Sequence, residues 1–174
     1  MPFGEYVPLE NLLRGLIDFF DLPMSSFSPG PPEQMPLRAG AFRIAPFVCY
    51  EIVYGDLVAS SARDADLLIT ISNDSWFGDS IGPWQHLQIA QMRGRENGRF
   101  VLRATNNGIS AIIDHQGRIV KHTEQFVATM LTGEAEVMLG NTPFSRFGSS
   151  PIIAGCIIGL LLMALMYVGF WRDN

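Results

Sequence analysis

The sequence predicts an α/β domain followed by one membrane-spanning helix. Its 174 residues are enough for one domain. An apolar run over 41–48 reads as a strand, "YGDLVASSARDA" after it as a short helix, and "DLLITIS" (66–72) as a buried strand. That strand–helix–strand order points to layered α/β packing. Near the other end, "IIAGCIIGLLLMALMYVGFW" (152–171) carries no charge and no polar stripe. As a helix rising about 1.5 Å per residue, it reaches about 30 Å, the thickness of a bilayer core. Tyr167, Phe170 and Trp171 sit toward one of its ends, as interfacial aromatics do.

The remaining elements follow from spacing and punctuation. Leu9, Leu12, Leu13, Leu16, Ile17 and Phe20 recur at helical spacing, so 9–20 is expected to be an amphipathic helix. "DLPMSSFSPGPPEQMP" (21–36) is turn-rich and ends it in a long loop. "NDSWFGDSIGP" (73–83) is a loop of Asn, Asp, Ser and Gly that carries Trp76 and Phe77. Pro83 suits the first turn of the next helix, where its missing N–H needs no partner. Strands are expected over 100–104 and 108–114, with "NNG" (106–108) as a turn. "IIDHQGRIV" reads as a hairpin turning at His115–Gly117, and a further strand is expected over 127–138. "GNTPFSRFGSSP" leads to the apolar helix. The resulting division is a body over 1–145, a linker over 146–151, the span over 152–171 and a tail over 172–174.

Composition narrows the function. Hydrophobic residues make up 48% and charged residues 17%, against about 25% charged in an ordinary soluble domain. A net charge of −5 and the lack of any basic cluster argue against nucleic acid as a partner. Lys121 is the single lysine beside eleven arginines. The two cysteines cannot form a disulfide framework, because Cys156 lies inside the apolar run as a packing residue. Zinc spacing of the C-x-x-C or H-x-x-x-H kind is missing, and no phosphate loop is present; no metal or other cofactor is expected. "MPFGEYVPLE" has neither the basic nor the apolar region of a signal peptide and reads as the interior of a structured turn. Either the chain is a cytosolic body with a C-terminal membrane tail or, as the abrupt start favours, it is the back half of a longer protein.

Cys49 is the candidate for covalent chemistry. "PFVCYEIVYGD" places it at the end of a strand, and in open α/β sheets ligands sit beyond the carboxyl ends of strands. The Tyr50 N–H would then face an oxyanion, and Glu51 could orient a substrate. Free cysteine is also a common small core residue, so C-Y-E alone leaves both readings open. His86, His115 and His122 read as structural, because nothing in the sequence sets one beside Cys49.

Taken together, "PFGEYVP", "PFVCYE", "ISNDSWFGDSIGPWQH" and "RGRENGRFVLRATNNGIS" resemble the nitrilase-type domain of the apolipoprotein N-acyltransferases. The resemblance runs in order along essentially the whole chain, including the C-terminal helix. It implies part of an αββα sandwich, facing the periplasm of a Gram-negative cell from the inner membrane. Cys49 matches the family's nucleophile, which takes an acyl chain from a phospholipid as a thioester. The chain then passes to the free amine of a diacylglyceryl-modified cysteine on a lipoprotein, since amines attack thioesters readily. Glu5, Tyr50, Glu51 and Trp76 match positions in or around that active site. Glu5 and Glu51 would position the nucleophile or its partners, and Trp76 would meet the lipid. Arg93, Glu96 and Asn97 match a helix where a supporting ion pair is expected. The family's glutamate base and lysine fall upstream of Met1, and Lys121 matches neither. Two alternatives stand beside this reading: a soluble amidase or nitrilase of the same superfamily, which has no use for the apolar helix, and a catalytically inert membrane-tethered fragment.

Overall fold

The computed structural model describes residues 34–172, with side chains through Tyr167. The expected helix over 9–20, most of the loop over 21–36, and Glu5 lie outside the described residues. Six strands form one sheet in chain order: β1 (Leu37–Ala39), β2 (Phe42–Val48), β3 (Leu67–Asn73), β4 (Val101–Asn106), β5 (Ala111–Ile113) and β6 (Ile119–His122). β2, β3 and β4 run parallel, and the outer pairings are antiparallel. Parallel neighbours need crossovers, and helices α1 (Gly55–Ala62) and α2 (Gly82–Asn97) supply them.

Strand alternation decides which side chains meet those helices. Ala45 and Phe47 on β2, Leu68 on β3 and Val101 on β4 share one face with Ile52, Val58, Ala62, Leu87 and Ala90. Each fully buried Leu or Ile in this cluster contributes about 1.5–3 kcal/mol through burial. Along α2 the buried positions are Pro83, His86, Leu87, Ala90, Gly94 and Asn97, a stripe at helical spacing. Pro83 lies in the first turn, and Gly98, at φ +60, ends the helix left-handed with its N–H on the Gly94 carbonyl.

The opposite face has a different cover. The strand expected over 127–138 does not form. Instead Leu131, Ala135 and Met138 from that segment pack onto Leu67, Phe100 and Ile112. Gly133 approaches so closely that an added Cβ would lie 2.6 Å from Ile112 Cδ1. The segment expected to be a strand thus lies against a sheet face and is not paired along its edge. Beside it, a cavity of about 610 Å³ is lined by Ile69, Leu102, Ala104, Ile112, Met130 and Leu131 among others.

The C-terminal segment is sewn to the helical face through backbone carbonyls. Buried Arg99 donates to Ala65 O (2.8 Å) and Gly140 O (2.7 Å), and Arg63 donates to Ser145 O (2.6 Å). Thr142 caps a short helix, α3 (Pro143–Phe147), within the segment expected to be the link. Ser149 then donates its N–H and hydroxyl to the two oxygens of Asp56, at 2.8 and 2.5 Å. These bonds hold the Asp56 carboxyl below its ordinary range. Helix α4 (Ser150–Arg172) follows directly. Its Ser150–Tyr167 stretch has mean hydropathy 2.1 with none of it buried, so it is long and apolar enough to cross a membrane.

Two opposite charges pair inside the body. Arg103 occupies an inward position of β4, with its side chain fully out of solvent, and donates to Asp74 Oδ2 at 2.6 Å. The Asp74 side chain is equally buried. Asn107 turns the chain at φ +60, and Gly108 then lies against Asp74, where an added Cβ would come within 2.8 Å of the Asp74 Cβ. Burial works to raise the Asp74 carboxyl, but hydrogen bonds from His86 and Ser72 and the Arg103 charge outweigh it and hold it low. Such a group stabilises the fold above its unfolded pKa and stops doing so as pH falls through the folded one. The stability it contributes should therefore persist across neutral pH and be lost only below about pH 4. Asp74→Asn, which strands the Arg103 charge, should cost about 3–5 kcal/mol in urea unfolding of the detergent-solubilised chain. A change under 1 kcal/mol (roughly a surface substitution) would show that the pair does not hold the body together.

Candidate active site

β2 and β3 are parallel and in register at Val48 and Ile71, so their carboxyl ends open at the same level. Immediately beyond Val48 the chain tightens into a 3-10 turn over Cys49–Val53. Cys49 itself has φ +52, left-handed backbone that a non-glycine residue adopts at a cost of about 1–2 kcal/mol. Its surroundings must over-determine that conformation. Glu51 closes the turn by accepting from the Val48 N–H at 2.7 Å, and its carbonyl accepts from the Tyr54 N–H at 3.1 Å. On the other side, His86 Nε2 lies 3.2 Å from the Cys49 carbonyl.

The thiol faces the end of β3. Ser72 Oγ stands 3.5 Å from Cys49 Sγ and 2.6 Å from Asp74 Oδ1. A hydroxyl has one proton, and the short contact to the carboxylate takes it, so a Ser72 lone pair faces the sulfur. Asp74 Oδ1 also receives His86 Nδ1 at 3.0 Å, and Arg103 binds its second oxygen. Asp74 thus gathers donors from β3, α2 and β4 beneath Cys49. Burial pushes the Arg103 guanidinium down, Asp74 opposes this, and the group remains a cation. The Cys49 sulfur is near enough for its charge to act on Arg103 as well.

The sequence-chosen residues divide accordingly. Cys49, Tyr50 and Glu51 share one turn. The Tyr50 ring is half-exposed, at 6.2 Å from Tyr54 and 6.5 Å from His86. Trp76 lies in the next turn (Asp74–Phe77) and is 89% exposed, so it is not a core aromatic. Gln125 steadies that loop by donating to Gly78 O at 3.0 Å. The supporting ion pair forms on α2: Arg93 meets Glu96 at 2.8 Å and also donates to Val53 O at 3.2 Å, bracing the end of the cysteine turn. Lys121 donates to Thr132 O at 3.1 Å and takes no part in the site. Among the described residues no group of three or more metal-ligating side chains converges.

Sequence reasoning separated His86 from Cys49; the structure brings them together. His86 was legible as a member of the α2 buried stripe, but not as the neighbour of a residue 37 positions away. Asp74, Arg103 and Ser72 were missed as well. The available signal was Arg103 itself, a charge at an inward strand position, which requires a buried acid. The assembly offers a thiol on a strained turn, with a fixed backbone N–H beside it and a buried charged cluster below. Such an arrangement can support attack by a thiolate on a carbonyl once a proton acceptor is supplied; none stands beside Sγ among the described residues.

The chain is similar to known proteins in sequence and in fold. The chain is 54% identical over 166 residues to an apolipoprotein N-acyltransferase of Pseudomonas paraeruginosa, covering 95% of this chain and 32% of that protein. The chain thus spans about a third of the length of such relatives. In fold it is similar to an amidase from Nesterenkonia sp., with TM-score 0.51 and 19% identity, covering 89% of this chain and 54% of the amidase. It is also similar to a carbon-nitrogen hydrolase from Helicobacter pylori, with TM-score 0.52 and 15% identity, covering 57% and 42%. Both likenesses place the mixed sheet with its helical face among nitrilase-type folds. The carbon-nitrogen hydrolase profile matches residues 14–142, from ahead of the first described strand to the Thr142 cap. With most of its length inside that match, the chain belongs to the carbon-nitrogen hydrolase family.

Proposed function

We propose that the chain is the C-terminal part of an apolipoprotein N-acyltransferase and carries its nucleophile. The observation that supports this most is Cys49, presented on a left-handed turn beyond parallel strands in a chain 54% identical to a protein of that name. In this reading the Cys49 thiolate attacks an ester carbonyl of a phospholipid. A C–S bond forms, the ester C–O bond breaks, and the lysophospholipid leaves as an alcohol after taking a proton. The α-amine of a diacylglyceryl-modified cysteine then attacks the thioester; a C–N bond forms, the C–S bond breaks, the amine's proton passes to the proton acceptor, and the thiolate returns. The Tyr50 N–H is assigned to the oxyanion, and Glu51 to holding the turn that aims it. The proton acceptor is assigned to a residue outside the described ones.

The exposed Trp76 and helix α4 favour a lipid substrate over the small amides of a soluble amidase. Trp76 is assigned to lipid contact, α4 to the inner membrane, and the body to its periplasmic side. The inert-fragment reading applies to the chain taken alone, because its thiol has only the Ser72 hydroxyl as a side-chain partner among the described residues.

Incubating the longer protein with phospholipid labelled in its acyl chain should leave label on Cys49, and Cys49→Ser should abolish transfer to a diacylglyceryl-cysteine peptide. An alkoxide is harder to form than a thiolate, and its oxyester is a poorer donor to amines. Equal labelling of Cys49→Ala would refute the assignment. A second measurement addresses the membrane. The chain should stay in the membrane fraction through alkaline carbonate washing, and truncation after Ser149 should release the body. Intact chain recovered in the soluble fraction would sink the assignment of α4.

A further inference from the structure

We propose that His86 is the positioning residue of the nucleophile, a doubly protonated ring clamped between the Asp74 carboxylate and the Cys49 carbonyl. The inference rests on Cys49 being the nucleophile and goes beyond it, by naming what holds the strained turn and in which chemical form.

The hydrogen-bond inventory requires that form. A carboxylate oxygen and a backbone carbonyl only accept, and they lie 3.0 Å from Nδ1 and 3.2 Å from Nε2. A neutral imidazole has one N–H and could donate to only one of them; the imidazolium donates to both. The ring is 4% exposed, so water does not supply the missing partner. The titratable and charged groups around it are Asp74 from the loop after β3, Arg103 from β4 behind Asp74, and Cys49 and Tyr50 from the 3-10 turn. Arg103 and Asp74 neutralise one another at 2.6 Å, which leaves the ring as the unbalanced charge beneath the thiol. The Tyr50 and Phe77 rings flank it at 6.5 and 6.4 Å.

The positioning follows from peptide geometry. No peptide bond among the described residues is cis, and a trans peptide holds its C=O and N–H antiparallel. Anchoring the Cys49 carbonyl on the buried ring therefore turns the Tyr50 N–H of the same peptide outward. This contact, together with the Glu51 bond to the Val48 N–H, holds the left-handed Cys49 and aims the proposed oxyanion donor.

The test uses the whole chain in detergent with Cys156→Ser, so that Cys49 is the sole thiol. Its iodoacetamide alkylation rate is followed from pH 5 to 10, with ¹⁵N spectra of the histidine rings alongside. Expected at pH 7 is a His86 ring with both nitrogens protonated, reverting to a single N–H in Asp74→Asn. His86→Gln keeps a donor for the carbonyl but no charge. It should match the parent rate at high pH, with the midpoint of its profile moved upward by about one pH unit. His86→Leu should be slower by about tenfold even at the high-pH plateau, because the turn is no longer held. A neutral His86 ring in the parent chain at pH 7 overturns the proposal, whether or not the variants fold. So does a folded His86→Leu chain with the parent's plateau and midpoint. Absence of acyl label on Cys49 together with the expected alkylation pattern would instead refute the acyltransferase reading and leave the role of His86 standing.

Discussion

A carboxylate removed from water offers lone pairs in several directions, and each must find a donor or the group becomes a liability. Asp74 meets that demand by drawing on Ser72, His86 and Arg103. Those donors stand on β3, α2 and β4, so satisfying one buried anion fixes the relative placement of three elements. Gly108 belongs to the same arrangement, since any side chain there would occupy the carboxylate's space. The cysteine turn is attached to this centre twice, through the Ser72 contact to sulfur and the His86 contact to the carbonyl.

This coupling explains what the sequence could and could not reveal. Strands β2, β3 and β4, the helix from Pro83 and the apolar helix are local patterns, and they formed near their expected limits, whereas β1 was not anticipated. Cys49 was legible because a strand end and its following residues are contiguous. The Asp74 cluster was not, since Arg103 lies 29 residues from Asp74 and nothing local marks the pair. Residues 127–138 failed for another reason. An apolar segment with one buried side can pair along a sheet edge or lie across a sheet face, and Leu131, Ala135 and Met138 take the second course.

The two faces of the sheet carry different burdens. The helical face is closed by α1 and α2 and holds the polar cluster that shapes the site. On the other face, Phe42, Val48 and Ile71 remain about half exposed beside the 127–138 segment. The described residues thus give one helical layer and one sheet layer of the four that an αββα sandwich contains. The chemistry is built on the layer pair whose core is complete.

The bond between Asp56 and Ser149 carries a mechanical consequence. Asp56 is in the first turn of the helix that follows the cysteine turn, and Ser149 is the last residue before α4. The cysteine turn and the root of the apolar helix are therefore fastened to the same short rod. A flexible leash would let a catalyst drift above a lipid surface, and each encounter would include a search in height. A rod makes height a constant. For a substrate whose ester lies at one depth in a leaflet, such a stem reduces a three-dimensional search to a planar one.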